Sequence, residues 1–320
     1  MSKYWMITNR NVTGSGLGKN RVDELSFFTA KQGPLRDFQS WTKQRPQKFR
    51  QDLIAAADRF PLLGEGENEA QKHVTLFVHG YNTNWSKAAA RYQQICDDLY
   101  GAGGLGLCVL FTWPSNGETA HYLSDREDAR SSGPDLARVF NSIFEQARLM
   151  QNSASEGEGV CKAKISVIAH SMGNWVFQNA LARTWERHNK PLTVSLINQC
   201  IMVAADVDND LFADGETVGN SSAEGIANLC YRITALYSGL DSVLGVSAGL
   251  KHFGKRRLGR SGLDKKMPVP DNVWDFDCSP LFSPGQKNIH SAYFETRKIQ
   301  ELMRTVLQGH DRLVVESKFK

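Results

Sequence analysis

The chain has 320 residues, of which 41% are hydrophobic and 22% are charged, and its formal net charge is +4. This composition is typical of a globular protein with a large core, and the charge is too small to indicate nucleic-acid binding by itself. No apolar run approaches the roughly 18 residues of a membrane span, and the first residues lack the apolar segment of a signal peptide. Six cysteines without Cys-x-x-Cys spacing indicate free thiols, so we expect a cytoplasmic protein.

The first 70 residues differ in pattern from the rest of the chain. Residues 4–8 and 25–28 predict two short antiparallel strands joined by a glycine-rich turn. Apolar residues at helical spacing over 47–60 predict a helix that packs on the core.

From residue 74 onward, strand-like and helix-like segments alternate. Short apolar runs predict buried strands at 74–78, 108–113, 165–169, 196–205, 230–237 and 273–277. The helices between them include one with Pro134 in its first turn and a last one over about 292–307. Near-continuous apolar strands separated by amphipathic helices indicate a mostly parallel sheet covered on both faces.

The strongest chemical signal lies where one of these strands ends. A β-branched run finishes in Ala169-His170-Ser171-Met172-Gly173, and a helix-compatible segment follows at once. This is the pattern of a nucleophile elbow, G-x-S-x-G, with alanine in place of the first glycine. Because a sharp strand-to-helix turn needs small residues around the serine, the pattern predicts Ser171 as a nucleophile.

A serine hydroxyl becomes reactive when a base takes its proton and an acidic group orients that base. In α/β hydrolases the acid and then the histidine follow the serine along the chain. Asp241 comes directly after the strand two beyond that of the serine and is the favoured acid. Asp206 or Asp208, after the intervening strand, is the alternative.

The base is predicted from its place after the last strand. His290 follows that strand and opens the final helix, which is where the histidine of such a triad is found. His252 lies in a basic loop before the last strand, and His310 lies beyond the terminal helix. Neither position is suited to return over Ser171, so His290 is the predicted base.

Two backbone N–H groups are also needed to stabilise the oxygen that gains negative charge during the reaction. Met172 follows the serine, and Tyr81 lies in the loop 79–82 after an earlier strand, so these residues are the predicted oxyanion-hole donors. Gly80 would let that loop approach the substrate closely. The residues expected to support the two loops, without transferring protons, are His79, Gly80, His170 and Gly173.

Further motifs occur in a fixed order around the elbow. They are His79-Gly80-Tyr81-Asn82, Phe111-Thr112-Trp113-Pro114-Ser115, Asp125-Arg126-Glu127, Ala205-Asp206-Val207-Asp208 and Leu236-Tyr237-Ser238. In this combination the chain resembles the largely bacterial group of α/β hydrolases of unknown function, over roughly residues 70–295. The resemblance implies the α/β-hydrolase fold and a Ser-Asp-His triad at Ser171, Asp241 and His290. It implies no substrate.

We therefore expect three parts in the chain. Residues 1–70 form an N-terminal extension within the same domain, residues 71–310 form the α/β-hydrolase domain, and residues 311–320 form a C-terminal tail. The fold class is α/β, with a mostly parallel central sheet and helices on both faces.

A basic segment lies between Asp241 and the last strand. Residues 251–266 hold seven Lys or Arg residues against one Asp. Loops at the carboxyl ends of parallel strands face the ligand site, so Arg256 and Arg257 are candidate contacts for an anionic substrate or a membrane surface. The alternative is that the charges of this run are simply solvated.

These residues predict a serine hydrolase that cleaves a carboxyl ester, a lipid ester or a thioester through an acyl-enzyme intermediate. Two alternatives keep the same residues: a peptidase or amidase with the same triad, and a non-catalytic module that binds without turnover. No metal or organic cofactor is implied. We expect a small-molecule or lipid ester substrate, no nucleic acid and no transmembrane segment, and the sequence identifies no protein partner.

Overall fold

The computed structural model describes residues 3–59, 72–101, 105–115, 122–154, 163–192, 194–213, 221–251, 255–266 and 268–319. Its strands are β1 (Tyr4–Thr13), β2 (Gly16–Ala30), β3 (Thr42–Gln44), β4 (His73–Val78), β5 (Gly106–Thr112), β6 (Lys164–His170), β7 (Ile197–Val203), β8 (Cys230–Tyr237) and β9 (Val273–Asp277). Its α-helices are α1 (Pro46–Ala57), α2 (Trp85–Ile95), α3 (Tyr122–Ala154), α4 (Gly173–Arg187), α5 (Ser221–Leu229), α6 (Ser242–Val246), α7 (Leu258–Ser261), α8 (Ile289–Ala292), α9 (Arg297–Leu307) and α10 (Arg312–Phe319).

These strands form a single sheet in the order β3-β2-β1-β5-β4-β6-β7-β8-β9. In the sheet order β1-β5-β4-β6-β7-β8-β9, all neighbouring strands are parallel. Strands β2 and β3 extend the β1 edge with antiparallel pairs. Parallel neighbours need long crossover connections, which the helices supply. The prediction of a mostly parallel sheet is therefore confirmed.

Helices cover both faces of the sheet. On one face α1, α3, α4 and α5 pack on strand residues such as Leu76 and Val78. On the other face α2, α9 and α10 pack on residues such as Phe77. Successive side chains of a strand point to opposite faces, so a strand covered on both sides must be apolar throughout. This explains the near-continuous apolar runs of the sequence.

The N-terminal segment extends the sheet, as a longer hairpin than expected. Strand β1 pairs antiparallel with β2 and parallel with β5. The predicted antiparallel pairing is confirmed, but the turn contains only Gly14 and Ser15. Val12 lies opposite Leu17 and Thr13 lies opposite Gly16. The two strands therefore continue into the glycine-rich stretch that was expected to form the turn.

One helix begins earlier than predicted. Pro134 lies inside α3, not in its first turn. Beside it, a Cβ added to Gly133 would lie only 2.7 Å from the Cβ of Asn179 on α4, so the two helices approach closely at this point. Pro134 has no backbone N–H and so removes one hydrogen bond from the helix interior. Packing against α4 helps α3 to remain helical at this position.

The C-terminal part also departs from expectation. The predicted helix over 292–307 begins later, because α8 ends at Ala292 and α9 starts at Arg297. The rings of Tyr293 and Phe294, which lie between the two helices, are both buried. The segment expected as a tail contains α10. Three residues used in the sequence predictions, Phe60, Cys161 and His252, lie outside the described residues. Among the described helices, none combines the length and apolar character that crossing a bilayer requires.

Candidate active site

Ser171 lies in the tight turn between β6 and α4. Its φ of 52° is in the left-handed region, which residues with a side chain rarely adopt. The backbone N–H of Ser171 donates to the carbonyl of Val203 on β7 at 2.9 Å, and the side-chain amide of Asn174 donates to the carbonyl of Ala169 at 2.9 Å. These bonds hold a strained residue in place, which is a common property of functional sites.

The loop after β4 lies directly against this turn. A Cβ added to Gly80 would lie 2.7 Å from the Cβ of Ser171, and a Cβ added to Gly173 would lie 2.5 Å from the carbonyl oxygen of His79. Both distances are shorter than real Cβ contacts, so the two segments approach as closely as they do because both positions are glycine.

His290 connects the serine to a buried carboxylate. Its Nε2 lies 2.8 Å from Oγ of Ser171, and its Nδ1 lies 2.7 Å from Oδ2 of Asp241. A carboxylate accepts hydrogen bonds, so this arrangement fits Nδ1 as the protonated nitrogen and leaves Nε2 to accept from the serine hydroxyl. Ser171 directly follows β6, Asp241 lies in the loop after β8, and His290 lies in α8, the first α-helix after β9.

Asp241 has two roles in this arrangement. It is fully buried, and its Oδ1 accepts the backbone N–H of Leu244 at 3.0 Å, which makes it the N-cap of α6. Its Oδ2 remains directed at His290. The helix cap fixes the carboxylate, so capping and orientation of the histidine are compatible at one residue.

The alternative acids are engaged elsewhere. Asp206 is buried, and its carboxylate accepts from Nε of Arg257 at 2.8 Å and from the hydroxyl of Tyr122 at 2.7 Å. Asp208 also forms an ion pair with Arg257. The backbone carbonyl of His310 accepts from Arg232 beyond the end of α9. The backbone N–H of Asp206 donates to the carbonyl of Ser171 at 3.2 Å, but the side-chain hydrogen bonds that end at the hydroxyl of Ser171 come from Asp241 through His290.

The two supporting histidines are held in their neutral forms. Burial, together with the charge of Arg10, lowers the pKa of His79 to about 3. Removal from solvent also holds the pKa of His170 well below its ordinary value, and His290 adds to this effect. Neutral His170 donates from Nε2 to the carbonyl of His290 at 2.8 Å, so it fixes the backbone that carries the predicted base.

The predicted oxyanion-hole residues lie on the two segments that meet here. Met172 is buried, directly follows Ser171 and is the N-cap residue of α4. Tyr81 directly follows Gly80, and its ring packs edge-on against Tyr122 at 5.3 Å between centroids. The two segments approach closely at Ser171, and the role of Met172 and Tyr81 as oxyanion-hole donors stays a prediction.

Three of the seven basic residues of the segment 251–266, Lys255, Arg257 and Lys265, form ion pairs with aspartates. Arg257 is only 1% exposed and bonds Asp206 and Asp208, so its guanidinium does not face solvent. Lys255 lies 3.7 Å from Asp208 and 3.6 Å from Asp210. Arg256 is exposed. The aspartates at 206, 208 and 210 are opposite in charge to the basic segment 251–266. This charge complementarity is the feature of the sequence that could have indicated the ion pairs between the two segments.

Sequence reasoning missed the residues behind the loop 79–82. Asp125 is fully buried, and it accepts from the hydroxyl of Ser115 at 2.6 Å and from the backbone N–H of Asn82 at 3.4 Å. Ser115 and Asp125 lie in two of the motifs on which the family resemblance rests, but the sequence alone indicated no role for either residue. Arg10, which also reaches this loop, had no signal at all, because a single arginine in a strand has many explanations.

The fold defines the class of this protein as the α/β hydrolases. A family profile for alpha/beta hydrolases of unknown function (DUF900) matches residues 63–269, and the chain belongs to that family.

Similar proteins add the following findings. An uncharacterised protein of Nostoc sp. is 30% identical over 34% of this chain, and the match spans 31% of that relative's length. Lipase B of Aspergillus fumigatus is 14% identical, covers 79% of this chain and 58% of its own, and has a TM-score of 0.42. An esterase of Pyrobaculum calidifontis is 11% identical, covers 82% and 91% of the two chains, and has a TM-score of 0.36.

Proposed function

We propose that the protein is a serine hydrolase that cleaves a carboxyl ester, a lipid ester or a thioester through an acyl-enzyme intermediate. The observation that carries this proposal is the unbroken hydrogen-bonded chain from Asp241 through His290 to Ser171, with links of 2.7 and 2.8 Å. Nucleophile, base and orienting acid lie within hydrogen-bond reach of one another, as general-base activation of a serine requires.

The reaction would proceed in two acyl transfers. Oγ of Ser171 attacks the substrate carbonyl while Nε2 of His290 takes its proton, and the backbone N–H groups of Met172 and Tyr81 stabilise the resulting oxyanion. Collapse of the tetrahedral intermediate releases the alcohol or thiol, which receives the proton from His290. Water then attacks the acyl-enzyme with His290 again as base, which releases the acid and restores the serine. Asp241 keeps His290 in the correct tautomer throughout.

One of the two candidate contacts for an anionic substrate is already engaged. Arg257 is buried and paired with the carboxylates of Asp206 and Asp208. Arg256 is exposed, so it is the cation of the two that could meet an anionic acyl group.

The first test is covalent labelling of the serine. Wild-type protein, Ser171→Ala and Ser166→Ala would be treated with a fluorophosphonate probe and examined by intact-mass spectrometry. Ser166 is a buried serine within β6, the strand that ends just before Ser171, so its variant controls for loss of a neighbouring buried hydroxyl. We expect one adduct on wild type and on Ser166→Ala, and none on Ser171→Ala.

Other results would change the conclusion. A folded wild-type protein that is not labelled contradicts an activated serine and favours a non-catalytic binding module. If labelling succeeds, a panel of esters, thioesters and amides of matched acyl length follows, and faster cleavage of the amides would favour a peptidase or amidase.

A further inference from the structure

Strand β1 carries a buried cation to the back of the loop that follows β4. Arg10 is 1% exposed, and its guanidinium donates to the carbonyls of Gly18 at 3.1 Å, Thr83 at 3.0 Å and Ser115 at 3.4 Å. Its Nε donates to Oγ1 of Thr112 at 3.1 Å. A buried charge is costly unless it is hydrogen-bonded, and these four hydrogen bonds compensate much of that cost while bridging β2 and the loops after β4 and β5.

The hydrogen bonds that leave Arg10 have a fixed direction. Nε–H of Arg10 can only donate, so Oγ1 of Thr112 accepts from it, and the hydroxyl hydrogen of Thr112 is available to Nε2 of His79, 3.0 Å away. The backbone N–H of Trp113 also donates to this Nε2, at 3.2 Å. Nε2 of His79 therefore carries no proton, and Nδ1 carries it. Because the pKa of His79 is about 3, the ring is neutral at pH 7, and the donor Trp113 and the acceptor Gly80 select this tautomer.

The tautomer of His79 determines how one peptide unit is turned. Nδ1–H lies 2.9 Å from the carbonyl oxygen of Gly80 and donates to it. The Gly80–Tyr81 peptide is trans, so its N–H points away from its carbonyl oxygen. By holding the oxygen on its own side, His79 directs the N–H of Tyr81 to the opposite side. Gly80 itself is in contact with Ser171, so this peptide lies at the nucleophile.

We propose that Arg10 is a positioning residue of the oxyanion hole. It acts through Thr112 and His79 on the Gly80–Tyr81 peptide, and it holds the far end of the same loop directly at the carbonyl of Thr83. The inference rests on the proposed function, because it requires the N–H of Tyr81 to stabilise an oxyanion. Residue 10 precedes the region 63–269 that the family profile matches, so the N-terminal hairpin would complete the site from outside that region.

The chain offers a matched set of variants. Arg10→Met removes the cation, and Thr112→Val removes only the hydroxyl that links Arg10 to His79 while keeping a β-branched side chain in β5. Arg21→Met is the control. Arg21 lies opposite Arg10 in the hairpin and pairs with Asp135 on α3 at 2.8 Å, so its loss weakens the same hairpin without touching the loop after β4.

The experiment measures both phosphonylation and turnover. For each folded variant, the rate of reaction with the fluorophosphonate probe would be measured, with kcat and KM on an activated ester. Loss of an oxyanion donor costs about 10²–10³-fold in kcat, so a misdirected donor is expected to cost about 10–100-fold. We expect Arg10→Met and Thr112→Val to lower kcat and phosphonylation by this factor with KM unchanged, and Arg21→Met to change neither.

The outcomes separate this inference from the function on which it rests. If wild type is not labelled, the proposed function fails and the inference fails with it. If wild type is labelled and the folded variants react at its rate, the inference alone is wrong. A rise in KM without a fall in kcat, or an equal loss in Arg21→Met, would indicate a general structural role and also overturn it. If Arg10→Met does not fold, Thr112→Val decides the question.

Discussion

Replacing Gly80 by alanine tests how closely the loop after β4 must approach the nucleophile. The added Cβ would lie 2.7 Å from the Cβ of Ser171, 3.0 Å from the carbonyl oxygen of His170 and 3.1 Å from its Nδ1. Non-bonded carbon atoms pack at about 3.5–4.0 Å, so the loop and the elbow must separate by about 1 Å. A misplacement of about 1 Å can cost about 10²-fold in rate. Overpacking of this kind costs typically about 1–3 kcal/mol of stability.

The assay compares reactivity with stability in two alanine variants. Gly239→Ala is the control, because a Cβ at that position would meet no atom within 4 Å although it lies in the loop leading to Asp241. We expect Gly80→Ala to react with the fluorophosphonate probe about 100-fold more slowly than wild type. Gly239→Ala should match wild type in both rate and urea unfolding. A folded Gly80→Ala protein that reacts within about three-fold of wild type would refute the close-approach reasoning.

Two predictions concern stability. Arg257→Met leaves the carboxylate of Asp206 buried without its cation and should lower the free energy of unfolding by about 3–5 kcal/mol, whereas Lys255→Met, which breaks exposed pairs, should lower it by less than about 1 kcal/mol. Equal losses in urea unfolding would contradict this difference. Burial holds the pKa of His73 at about 4 against an ordinary value of 6.5, so the unfolded chain binds the proton more tightly. The free energy of unfolding that comes from this pKa difference of His73 is fully present above pH 6.5. It falls by about 3 kcal/mol as the pH drops to 4. In this pH window the wild-type protein should take up about one more proton on unfolding than His73→Gln, so the free energy of unfolding of the variant should depend less on pH. An unchanged pH dependence would contradict the attribution of this proton to His73.

The basic segment 251–266 illustrates a limit of charge patterns. The excess of seven Lys or Arg residues over one Asp suggested a surface for anions. In the structure Arg257, Lys255 and Lys265 all form ion pairs with aspartates from other segments. A local excess of charge therefore predicts where opposite charge will be found, and that opposite charge can belong to the same chain.

The sequence by itself determined the features that depend on local chemistry and periodicity. Apolar runs set the strands, so β8 and β9 have the predicted bounds. The small residues around Ser171 specified the elbow, because a strained turn admits few alternatives. Asp241 and His290 followed from chain order, because the carboxyl ends of parallel strands meet at one edge of the sheet. Each of these inferences needs only a few consecutive residues and the rule that parallel strands align.

The tertiary structure alone decided the contacts between segments far apart in the chain. Arg10 bonds Thr112 across 102 positions, and Arg257 bonds Asp206 across 51. Pro134 likewise lies within α3 where Gly133 packs closely against α4. Such contacts depend on which strand lies beside which and on the register between them, and no local pattern encodes either. The sequence therefore indicated which side chains meet at the site, whereas the fold decided what holds them there.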